Sequence, residues 1–143
     1  MEQRVETPSE EDLARIERQR DWVRGHFEPA SQLLYEEYDQ KLRLLDAILR
    51  NGWIEPSETW KLQSLGITLG DAFVQRCGFE WVSVEDEYGR DPALRLPGTT
   101  IVIYPLTMIS KRVEKGESVD VYSLIDGVAQ KVDEVRARIQ QTA

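Results

Sequence analysis

Between Leu65 and Glu117 the spacing of the apolar residues changes twice, from helical to alternating and back to helical. A strand pattern bracketed by helical ones needs a sheet whose apolar face is covered by helices, so this switch restricts the fold more than any other feature. Phe79 to Val84 alternates, with Phe79 and Trp81 facing one way and Val82 and Val84 the other. Glu85 to Asp91 reads as a turn with Gly89 at its tip, and Pro92 to Leu96 as a short strand. Thr99 to Tyr104 (TTIVIY) is β-branched or aromatic throughout and is stopped by Pro105, which predicts the strongest strand. Three successive strands with short connections predict an antiparallel meander.

Helical patterns surround it. Met1 to Pro8 is polar and is expected to fray. Ser9 precedes Glu10, Glu11 and Asp12, an N-cap followed by acids on the positive end of the helix dipole. The stripe Leu13, Ile16, Val23, Phe27 follows, with Arg20 interrupting it. A second helix is predicted from Ala30 or Ser31 to Asn51-Gly52, and the short link makes the two an antiparallel hairpin that reads as scaffold. A third helix opens at Pro56-Ser57-Glu58, with Ser57 as its cap, and closes at Cys77-Gly78. Gly66 and Gly70 lie four apart on it, each costing up to about 1 kcal/mol relative to alanine. That cost predicts a second backbone in close approach, most simply a strand of the sheet, with a ligand in the notch as the alternative. Leu106 to Glu114 forms a short helix, and Asp120 caps a last one with the stripe Val121, Leu124, Ile125, Val128, Val132, Val135 and Ile139.

The expected fold is therefore α+β: N-terminal helical hairpin, third helix, three-stranded antiparallel meander, short helix and long C-terminal helix, with the helices on one sheet face. Its length suits one domain over residues 1–143, of which 1–52 form a helical extension and 53–143 the core. A chain of this mass buries about two-thirds of its unfolded surface, enough for a core without disulfide or metal.

Acids outnumber bases 26 to 18, a net charge of −8, spread evenly along the chain. Such a surface repels phosphate backbones and anionic lipid, so nucleic-acid and membrane-surface binding are not expected. It suits a basic protein partner, although solubility explains the same charge. One cysteine, Cys77, allows no internal disulfide, no apolar run reaches bilayer length, and the N-terminus lacks a signal-like segment. A cytoplasmic protein is the expectation.

The lone His26 and lone Cys77 give neither zinc spacing nor a convincing nucleophile pair. Phosphate-cradling loops and a nucleophile elbow are absent, so no cofactor, metal or catalytic residue is predicted. The acidic run Glu85-Asp86-Glu87 lacks calcium-loop spacing and reads as a solvated hairpin tip. The candidate ligand-binding set is Trp81, Asp86, Tyr88, Arg90 and Arg95 on the hairpin with Lys111 and Arg112 on the short helix. Packed together, with Asp91, these would form either a salt-bridge network fixing helix to hairpin or a polar pocket for an anion, walled by Trp81 or Tyr88.

The segments LGITLGDAF, EWVSVEDEYGRDPALR and TTIVIYPLTMISKRVEKGE, with DVYSL, resemble a bacterial family known as domain of unknown function 3806. The resemblance spans roughly Trp53 to Val132 and rests mainly on Gly89 to Leu94 and Pro105 to Arg112. It implies a small bacterial protein and brings no activity, cofactor or catalytic residue. The functional expectation is a protein-interaction module. The alternatives are a binding protein or unrecognised enzyme for a small anion, using the hairpin and short-helix cations, and a self-associating structural protein.

Overall fold

A computed structural model describes residues 2–142 and gives an α+β architecture. In chain order the elements are β1 (Arg4–Glu6), α1 (Glu10–Arg24), a 3₁₀ helix (Pro29–Glu36), α2 (Tyr38–Arg50), α3 (Thr59–Cys77), β2 (Glu80–Asp86), β3 (Gly89–Arg95), β4 (Val102–Ile103), α4 (Pro105–Glu114) and α5 (Val121–Thr142). The strands form one antiparallel sheet in the order β1-β2-β3-β4.

The spine is α3. Every residue from Ser64 to Gly70 is buried, because α1, α2, α4 and α5 pack around it. Leu65, Leu69 and Phe73 share one core with Val23 of α1, Leu42, Leu45 and Ile48 of α2, Ile109 of α4 and Val121 and Ile125 of α5. Gly78 ends α3 in the left-handed region at φ 78°, where a side chain would be strained.

Sheet register decides what faces this core. Trp81 pairs with Leu94 and Leu94 with Ile103, so these three share the helix-facing side. Val82, Val84 and Ala93 point to the other face, where Val5 and Val102 close a small separate cluster. Helices thus pack on one face, as the periodicity predicts.

Four expectations need correction. The N-terminal segment does not simply fray: Arg4, Val5 and Glu6 pair with Glu85, Val84 and Ser83, which makes the sheet four-stranded rather than three-stranded. Met1 lies outside the described residues. TTIVIY yields only the two-residue β4, because Thr99 closes a tight turn first: its hydroxyl donates to the Leu96 carbonyl and accepts from the Ile101 amide. The second helix is split, since Glu37 is extended (φ −88°, ψ 131°) and everything before it is 3₁₀. Finally, α3 begins at Thr59 with Glu58 as N-cap, not Ser57.

The glycine notch is real, but the approaching backbone is helical. A Cβ on Gly66 would lie 2.5 Å from Leu106 Cα and 2.6 Å from the Pro105 carbonyl oxygen. Gly66 therefore seats the N-terminus of α4. Gly70 seats a side chain, with Trp81 Cη2 2.5 Å from where its Cβ would be.

Candidate functional site

Because Gly70 has no side chain, the Trp81 indole lies flat across α3 and its Nε1 donates to Oδ1 of the next residue, Asp71, at 3.0 Å. The same carboxylate takes a two-pronged contact from Arg20 of α1, Nε to Oδ2 and Nη2 to Oδ1, both at 2.7 Å. It also accepts the Tyr35 hydroxyl of the 3₁₀ helix at 2.5 Å. Donors from three other elements thus meet on one acid of the central helix. Such planar, paired geometry makes Arg20–Asp71 a strong, orienting ion pair.

Around this hub the charges are layered. The remaining Arg20 nitrogen reaches Glu17 at 2.6 Å, and Arg24 pairs with Glu17 and Asp21. Asp71 beside it, through hydrogen bonding and charge, holds the Arg20 guanidinium above its already high ordinary value. Burial, reinforced by the Asp71 charge, pushes the Tyr35 phenol far above its usual 10.0. The Tyr35 ring carries two cations: Arg24 Cζ lies 5.1 Å and Lys41 Nζ 4.9 Å from its centroid.

Lys41 is the unusual member. It is 3% exposed, and its ammonium donates to the neutral Gln75 Oε1 at 2.8 Å. Among the described residues it makes no ion pair. Burial lowers its basicity below the ordinary lysine value; Asp71 and Glu36 oppose that shift, while Arg20 and Arg24 add to it. Gln75 in turn donates its Nε2 to the Glu36 backbone carbonyl at 2.9 Å. These side chains line an open cleft of about 450 Å³ between α1, the 3₁₀ helix, α2, α3 and the edge of Trp81.

Of the candidate ligand-binding residues named from sequence, only Trp81 lines this cleft, and it does so without the hairpin and short-helix cations expected beside it. The hairpin and short-helix cations do not gather. Arg90 turns toward the N-terminal segment, bonding Asp12 through Nε and Nη2 and Glu6 through Nη1. Arg95 pairs across the strands with Glu80 at 2.8 Å. Asp86 accepts the Tyr88 amide at the hairpin tip, and Tyr88 is 89% exposed. Arg112 donates to the Met108 carbonyl of its own helix. Lys111 and Asp91 do line one hollow, of about 320 Å³, with Gln63 and Tyr104. Asp91 makes its ion pair with Arg15, at 3.7 Å.

Sequence reasoning missed Arg20, Tyr35, Lys41 and Asp71. Two of them left a trace: Arg20 breaks an apolar stripe, and Asp71 follows a costly helical glycine. A charge at a core position of one helix asks for a partner on another. Cys77, by contrast, is buried and free, and burial raises its thiol above the usual 9.0, which disfavours the thiolate. Among the described residues no group of His, Cys, Asp and Glu side chains is arranged to hold a metal ion. None of the described helices is long and apolar enough to cross a membrane.

Residues 41–124 match the profile of a family described as "Domain of unknown function (DUF3806)". The chain belongs to that family. The DUF3806 segment begins at Lys41 itself and ends within α5, earlier at both ends than the Trp53-to-Val132 span the motifs suggest. It contains Lys41, Asp71, Gln75 and Trp81, whereas Arg20, Arg24 and Tyr35 come from the part before it. No curated protein matches the sequence. A crystal structure from Bacteroides thetaiotaomicron VPI-5482, at 1.50 Å resolution, is similar in fold, with a TM-score of 0.73 and 17% identity. The likeness covers 90% of this chain and 48% of that one, so this DUF3806 chain spans about half the length of its structural neighbour.

Proposed function

We propose that this DUF3806 protein binds a small anion in the cleft between α1, α2 and α3. The observation that carries the reading is Lys41: an ammonium withdrawn from water, lining a cleft and, among the described residues, in contact with an amide oxygen and an aromatic ring but in no ion pair. Burying an ammonium without a carboxylate is unfavourable unless a partner arrives. Asp71 and Glu36 offset that cost through space without forming an ion pair, and Arg20 and Arg24 add to it, because each repels Lys41. An anion between Lys41 and Arg24 relieves both terms.

The Asp71 hub supports this role by holding the walls. Its four hydrogen bonds leave the carboxylate no spare capacity for a ligand, so Asp71 positions Arg20, Tyr35 and Trp81. The interaction-module expectation rests on net charge, which solubility explains equally well, and the cleft reading takes precedence over it.

Calorimetric titration with phosphate, acetate, succinate and citrate at low ionic strength is the test. At least one of these anions is expected to bind, with Lys41→Met weakening it by about tenfold or more. Absence of binding heat from all four, or an unchanged affinity in Lys41→Met, overturns the reading.

A further inference from the structure

The charges along the cleft do not all answer one another. Arg20 is taken up by Asp71 and Glu17, and Arg24 by Glu17 and Asp21. Two groups of opposite sign are left over. One is the Lys41 ammonium. The other is the Glu36 carboxylate, which lines the same cleft and makes no side-chain hydrogen bond or ion pair among the described residues. The Gln75 amide links the two residues, its oxygen accepting from the Lys41 ammonium and its nitrogen donating to the Glu36 backbone carbonyl. A cationic and an anionic residue thus line one cleft, bridged by Gln75, with no ion pair joining them.

A bare anion at Lys41 would meet repulsion from Glu36, and a bare cation at Glu36 would meet repulsion from Lys41, Arg24 and Arg20. A molecule with both charges satisfies both points. We propose that the cleft takes a compact zwitterion, a free amino acid or similar amino-carboxylate, with its carboxylate on Lys41 and Arg24 and its ammonium on Glu36. This deepens the small-anion reading and rests on it. The volume of about 450 Å³ suits a molecule of that size. The Tyr35 ring and the Trp81 edge supply apolar wall for its carbon skeleton.

The experiment is calorimetric titration with the protein amino acids one at a time and with γ-aminobutyrate, each beside the matching acid that lacks the amine. At least one amino-carboxylate is expected to bind about tenfold more tightly than its amine-free counterpart, and Glu36→Gln to bring the two within about threefold of each other. If amine-free acids bind as tightly as their amino-carboxylates, or if Glu36→Gln leaves the preference intact, the zwitterion is overturned while the anion reading stands. If neither series binds, the zwitterion is overturned, and the anion reading is decided separately by the titrations with phosphate, acetate, succinate and citrate. Glu36 is exposed and unbonded through its side chain, so the Gln variant is expected to fold as the parent does, which an unchanged melting temperature verifies.

Discussion

Lys41 is the residue whose loss should help the fold and harm the function. Methionine keeps most of its volume and removes a desolvated charge, at the expense of one cation–π contact and the hydrogen bond to Gln75. Lys41→Met is therefore expected to raise the melting temperature slightly, by the equivalent of about 1 kcal/mol or less, while anion binding is lost. Asp71 behaves in the opposite way. Asp71→Asn leaves Arg20 facing an amide at its paired contact, and urea denaturation is expected to show a loss on the order of 3 kcal/mol. Gly66→Ala tests the close approach of α4: the new methyl meets backbone, which cannot swing aside, so a cost of about 2–3 kcal/mol is expected in the same assay. The legibility of these residues in the sequence differs for a physical reason. Gly66 and Gly70 stand out because glycine is unfavourable in a helix and needs a cause. Arg20 stands out against its stripe. Lys41 does not, since a lysine beside an apolar stripe normally extends into water, whereas here its ammonium lies over the Tyr35 ring and bonds Gln75, contacts made by residues of other elements.

At the level of elements, Asp12 at the start of α1 is a main fastening to the β2–β3 hairpin, beside the β1–β2 pairing and the Glu6–Arg90 and Arg15–Asp91 ion pairs. Asp12 is the N3 member of a capping box with Ser9, accepts the Ser83 hydroxyl at 2.8 Å, and takes Arg90. Hydrogen bonding from Arg90 is the main cause that holds its carboxyl far below the ordinary 3.8. The sign follows from linkage: a depressed acid contributes fully above its unfolded value and loses that contribution as pH falls through the folded one. Stability is thus expected to decline below about pH 4, and Asp12→Asn to lower the neutral-pH melting temperature while flattening the acid limb relative to the parent. An equally steep acid limb in the variant would assign the decline to other groups. The capping box is visible in the sequence because it is local. The clasp joins residues 78 apart and is not. The same locality explains the two strand errors. Three residues of β1 carry too little pattern to read, and its stability comes from pairing with β2. TTIVIY has high strand propensity, but the Thr99 turn uses its first residues, so context overrides preference.

For the whole molecule, residues before Gly52 are part of the core. Ile16 and Val23 of α1 and Leu42, Leu45 and Ile48 of α2 are each 3% exposed or less. A fragment beginning at residue 53 would bare the α1- and α2-facing sides of α3 and is expected to lose cooperative urea unfolding, as followed by circular dichroism. The fold likeness to the Bacteroides thetaiotaomicron structure agrees, because 90% coverage extends well beyond residues 41–124. Fold class and the one-sided sheet were legible from hydrophobic period, a property of neighbours in sequence. The cleft was not, since it is built from α1, the 3₁₀ helix, α2, α3 and β2 at once, and no single segment records it. The proposed anion site stands or falls with Lys41 as a buried cation awaiting an anion. Side-chain NMR of the ammonium, with signals assigned through Lys41→Met and titrated with and without the tightest-binding acid of the calorimetric series, measures that claim at the atom concerned. In the free protein Lys41 should titrate below the ordinary lysine value of 10.5, and the bound acid should move it upward. An identical titration in the two samples would mean that the acid does not sit on Lys41.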